Sequence, residues 1–250
     1  MCPGGGIGRR AGFRYLWPQG RGSSSLLLGT IALSVITQFI PSGTVHLYRH
    51  DLPDGLSLGS VVAVDTETMG LNPHRDRLCL VQLSAGDGVA HLVQILPERM
   101  GGRGADCPNL KRLLQDPSVV KLMHFARFDL AILQHTFGIL VAPVKCTKIA
   151  AKLTRTFTDR HGLKDLCRDL LGIELSKQQQ TSDWGAPELS AEQLAYAASD
   201  VLHLHALWER LEALLRREGR LDLAEACFAF LPARARLDLL GYEDPDIFAH

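Results

Sequence analysis

The chain has 250 residues, 46% of them hydrophobic, and its 27 Lys+Arg balance 27 Asp+Glu. That is enough apolar material for one large domain or two small ones. Zero formal net charge excludes a protein held to nucleic acid by bulk charge, but leaves room for an enzyme that grips a few phosphates. Six scattered cysteines form no C-x-x-C pair. This argues against a structural zinc site or a disulfide framework, and for reduced thiols in a cytoplasmic protein.

Residues 1–43 read as a leader. The first 25 are rich in Gly, Arg and Ser with no helical or strand period. The uncharged run "LLLGTIALSVITQFI" that follows is too short for a membrane span. Arginines precede it, as in an export signal, but "TQFIPSG" lacks a small-x-small cleavage pattern. The segment is expected to be disordered or a misassigned start, with an export signal as the alternative. Residues 44–250 are expected to form a single domain with C-terminal helices.

Within that domain "VVAVDTE", "RLCLVQLSA" and "VAHLVQI" predict three strands. The "GDG" between the last two is a turn signal, so antiparallel hairpins are expected. "CPNLKRLLQDP" predicts a short helix stopped by Pro117, and "SVVKLMHF" a further strand. A helix from about Ala126 to Phe137 follows, closed by Gly138. "CTKIAAKLTRTF" and "GLKDLCRDLLGIEL" predict two more. From Ser190 to Gly219 one long helix is expected, opened by a Ser190/Gln193 capping box. The last segment predicts one or two short helices. Strands, then alternation, then helices make one mixed α/β domain.

Chemistry enters at the end of the first strand. Asp65 and Glu67 are i and i+2, so they share a face. Two like charges side by side are costly unless a cation sits between them. Asp129 stands in the first turn of its helix within an apolar stripe; taken alone it is equally an aspartate that favours the helix dipole. Tyr196 and Asp200 are i and i+4 on one helical face.

In order and kind these elements resemble the DEDD exonuclease superfamily. Tyrosine four residues before the last aspartate, with Ala195 at the histidine position of the other branch, places the likeness in the tyrosine (DEDDy) branch. "VVAVDTETMGLNPHRDRLCLVQLS", "LMHFARFDL", "GLKDLCRDLLGIEL" and "SDWGAPELSAEQLAYAASDVLHL" are similar to ribonuclease D over roughly residues 45 to 215, its catalytic part only. The resemblance implies a ribonuclease H-like α/β fold: a mixed central sheet of antiparallel hairpin strands plus parallel strands, flanked by helices. It implies a 3′–5′ exoribonuclease that releases nucleoside 5′-monophosphates. Asp65, Glu67, Asp129 and Asp200 would hold two divalent cations, Mg²⁺ or Mn²⁺, as suits hard oxygen ligands. Tyr196 would orient the attacking water. The partner implied is the single-stranded 3′ end of RNA, with transfer-RNA precursors among the candidates, or of DNA. A proofreading-type DNA exonuclease and a non-catalytic nucleic-acid-binding domain are the alternatives. Thr66, His124, Phe128 and Trp184 are candidate substrate contacts, the last two as stacking surfaces for a terminal base. Lys164, Lys177 and Arg127 are candidate phosphate contacts.

Overall fold

The computed structural model describes residues 35–97, 106–176, 178–179, 181–244 and 246–248. Among the described residues seven strands form one mixed sheet in the order β1-β2-β5-β4-β3-β6-β7. They are β1 (Val35–Ile40), β2 (Gly43–Tyr48), β3 (Val61–Thr68), β4 (Leu78–Ser84), β5 (Val89–Gln94), β6 (Val120–Met123) and β7 (Val144–Cys146). The helices are α1 (Pro108–Gln115), α2 (Ala126–Phe137), α3 (Thr147–Thr154), α4 (Leu163–Leu171), α5 (Ala191–Leu202), α6 (Leu204–Arg217) and α7 (Leu221–Leu239).

The centre of the sheet is the expected antiparallel meander β3-β4-β5. All seven residues of β4 are buried, as both faces of a central strand must be when helices cover them. Parallel pairs extend the sheet, β2 with β5 on one side and β3-β6-β7 on the other. Lys121 in β6 is fully buried and donates from Nζ to the carbonyls of Asp116, Val119 and Ala142 at 2.7–2.8 Å. It thereby ties the start of β6 to the segment entering β7.

Four differences from the sequence reading have local causes. The boundary at residues 43 and 44 cuts a β-hairpin: β1 and β2 pair from Val35↔Tyr48 to Ile40↔Gly43. The uncharged run read as leader therefore supplies an edge strand; residues 1–34 lie outside the described residues. The three-residue β7 was too short to show a period. The long helix is two, broken at His203, because α5 lies on β3, β4 and β5 whereas α6 packs on α3 and α4. The C-terminal segment is one 19-residue helix with Pro232 inside it. Packing of α2 along α7 supports the interrupted turn, and Gln134 Nε2 donates to the Pro232 carbonyl. Among the described residues no helix is long and apolar enough to cross a membrane.

Candidate active site

β3 positions the first two acids. Asp65 pairs with Gln82 and Glu67 with Leu80, so both point to the face that α5 covers. The ladder then shifts register between Glu67 and Thr68, a bulge of the kind that re-aims side chains beside active sites. Thr66 points to the opposite face, toward α2. α5 begins at the expected capping box, with Ser190 and Gln193 bonded reciprocally, and this fixes where its last turns reach. Asp200 arrives there, one turn beyond Tyr196.

One oxygen each of Asp65, Glu67 and Asp200 lie within 4.8 Å of one another. Asp129 stands just outside this triplet, 4% exposed, its Oδ1 accepting a 2.7 Å hydrogen bond from Thr66 Oγ1. Of the four acids expected to share a site, three converge and the fourth is held beside them from the other face of the sheet.

Burial pushes all four carboxyls up, and repulsion adds to it at Asp65, Glu67 and Asp200. Asp65 rises well above the ordinary range through desolvation, then through Asp129, Asp200 and Glu67. Glu67 is pushed to about 9 by burial, then Asp200 and Asp129. Asp200 rises to about 7 by burial and Asp129. Asp129 also rises to about 7 by burial, against the lowering hydrogen bond from Thr66. Crowded carboxyls that offer only oxygen donors, and that resist ionising together without a counter-charge, fit a hard divalent cation. Tyr196 is half-buried, and its phenol is raised far above its ordinary value by desolvation, then by Asp200, Glu67 and Asp65.

Other expected contacts have moved roles. Trp184 is 3% exposed with its ring 6.0 Å from that of Tyr196. It packs the tyrosine and offers no free face for a base. His124 is neutral, its pKa lowered to about 3 by burial and then by Lys148, and its Nδ1 is 2.9 Å from Thr147 Oγ1. That pins the end of β6 to α3. Arg127 is forked onto Asp238 at 2.5 and 2.8 Å, which occupies it within the protein. Lys177 lies outside the described residues. Phe128 is partly buried against the core, and lines a cleft of about 700 Å³ with Leu71, His74 and Phe125. Phe125 is the residue the sequence reading missed: it is 48% exposed, and its backbone is left-handed at φ 61°, ψ 38°. Nothing in the local sequence signals that conformation.

A family model described as "3′-5′ exonuclease" matches residues 51–216, a span that contains all four acids and Tyr196. The chain belongs to this 3′–5′ exonuclease family. This chain is 40% identical over 179 residues to ribonuclease D of Gluconacetobacter diazotrophicus, a match that covers 71% of this chain and 44% of that relative. It thus spans less than half the length of that curated relative. Among solved structures it is similar to Brucella melitensis NrnC bound to pGG, at 56% identity and TM-score 0.79. That match covers 84% of this chain and 100% of the NrnC chain. NrnC with bound Mg²⁺ matches at 55% identity and TM-score 0.77, over 82% of this chain and 98% of that one. The mixed sheet flanked by helices is the ribonuclease H-like fold of these exonucleases.

Proposed function

We propose that the exonuclease hydrolyses RNA from its 3′ end, releasing nucleoside 5′-monophosphates. The carrying observation is the convergence of Asp65, Glu67 and Asp200 within 4.8 Å in a chain of this family. Similarity to ribonuclease D supports RNA as the substrate class. With Asp129 these acids would hold two divalent cations, Mg²⁺ by the parallel of NrnC, or Mn²⁺. Bound cations neutralise charge developing on a phosphodiester and acidify water. The chain's own contribution is placement. Asp129 is buried, whereas Asp65, Glu67 and Asp200 are only partly covered, which leaves them within reach of substrate and water. Tyr196 keeps its proton, so it orients the attacking water by hydrogen bonding instead of serving as a base. The water oxygen joins phosphorus, and the 3′-oxygen of the preceding nucleotide leaves.

A second reading concerns length. The match to pGG-bound NrnC spans that whole chain, whereas the ribonuclease D match spans under half of its relative. This favours RNAs of two to a few nucleotides over structured transfer-RNA precursors. Labelled RNA and DNA of equal sequence, from pGG to a 20-mer, are incubated with Mg²⁺, Mn²⁺ or chelator. Metal-dependent stepwise shortening of RNA from the 3′ end is expected, fastest on the shortest species. Preference for DNA, or binding without cleavage, overturns the proposal.

A further inference from the structure

Phe125 holds a left-handed conformation that strains a bulky L-residue. It is not repaid by burial, since almost half of the side chain remains exposed. The residue precedes α2 as its N-cap, one helical turn along the chain before Asp129. Lys148 Nζ lies 3.9 Å from the ring centroid. Lys148 and Lys152 are i and i+4 on α3, a like-charge spacing that destabilises a helix unless an anion intervenes. Neither has an ion-pair partner among the described residues. His161 lies among the same cations, only 9% exposed, and its Nδ1 has no hydrogen-bond partner among the described residues. The cleft that Phe125 also lines carries Glu243 and Asp244, which repel phosphate, while its Asp238 is already paired with Arg127.

We propose that Phe125 and the Lys148/Lys152 face of α3 form a second nucleotide subsite, which takes the base and phosphate on the 5′ side of the scissile bond. The base stacks on Phe125, whose left-handed backbone presents the ring. The lysines draw the phosphate chain away from the acidic side of the cleft. The assignment rests on the nuclease reading above.

Two readouts separate the subsite from the reaction. The first is fluorescence anisotropy of a labelled tetraribonucleotide in Ca²⁺, which reads binding without turnover. The second is kcat/KM on that tetranucleotide divided by kcat/KM on the p-nitrophenyl ester of uridine 5′-monophosphate, which has no nucleotide on the 5′ side. For Phe125→Asn and for Lys148→Ala/Lys152→Ala, RNA binding weakens about tenfold and the kinetic ratio falls by a similar factor. The double lysine variant also flattens the slope of log Kd on log salt by about 0.7 for each phosphate that it no longer neutralises. Phe125→Asn, which suits the left-handed backbone, keeps or raises the thermal midpoint. If tetranucleotide and ester suffer equally, or if RNA binding and its salt slope match wild type, the subsite is refuted. If wild type binds RNA, the variants weaken that binding, and neither substrate is cleaved, the subsite stands and the nuclease reading fails.

Discussion

Thr66→Val removes one hydroxyl from a nearly isosteric side chain and tests whether Asp129 belongs to the metal site. The bond it deletes is short, 2.7 Å, and both partners are buried, at 8% and 4% exposure. Hydrogen bonds to a charged group contribute about 1.5–3 kcal/mol, and the bond favours the ionised Asp129. Without it the carboxyl, already raised to about 7, rises further, and a proton competes more strongly with a cation. The expected result is a ten- to hundredfold weaker affinity for Mg²⁺ or Mn²⁺ at pH 7.5, the range seen when groups that orient metal ligands are removed. Isothermal titration calorimetry reads it directly. The rise of thermal midpoint with cation concentration reads it through linkage. The metal-free variant at pH 5, where Asp129 is protonated, should stay within about 1 kcal/mol of wild type, the ordinary worth of a neutral hydrogen bond. A cation affinity within twofold of wild type at pH 7.5 would refute the reasoning and leave Asp129 outside the metal's coordination.

Three further outcomes are expected. Tyr196→Phe lowers kcat about 10²-fold, the scale of losing a group that positions a reactant, while cation affinity by calorimetry stays unchanged; an equal loss of both would make the tyrosine structural. The metal-free protein loses stability as pH rises from about 4 to 9. Asp129, Asp200 and Glu67 have folded pKa values raised above their unfolded ones, so the folded state holds extra protons and gives them up through that window. Mg²⁺ flattens the fall, and Asp200→Asn raises the metal-free midpoint at pH 8 while abolishing turnover; thermal melts across pH check both. Lys121→Met leaves three carbonyls without their donor, the one of Val119 fully buried, and costs about 1–3 kcal/mol by urea unfolding. A loss below about 1 kcal/mol there would mean that the carbonyls find other donors.

The features that were legible in the sequence depend on near neighbours. A strand's two-residue period is carried by "VVAVDTE" itself, so the shared face of Asp65 and Glu67 followed from spacing alone. The same holds for the turn between β4 and β5, the Gly138 cap and the Ser190/Gln193 box, each set within a few residues. The i, i+4 pairing of Tyr196 and Asp200 needed only the helix.

What tertiary structure decided are properties of contact between distant segments. The break at His203 has no Gly or Pro to announce it; it follows from α5 and α6 resting on different partners. The helix through Pro232 persists because α2 packs along it. Trp184 and Tyr196 meet only when their loop and helix close on the sheet, and that closure buried the indole expected to stack on substrate. Likewise, that Asp200 joins Asp65 and Glu67 while Asp129 is drawn aside by Thr66 depends on α5 and α2 lying against opposite faces of β3. Local sequence fixes which way a side chain leaves its own strand or helix; only the packing of the whole chain fixes what it meets.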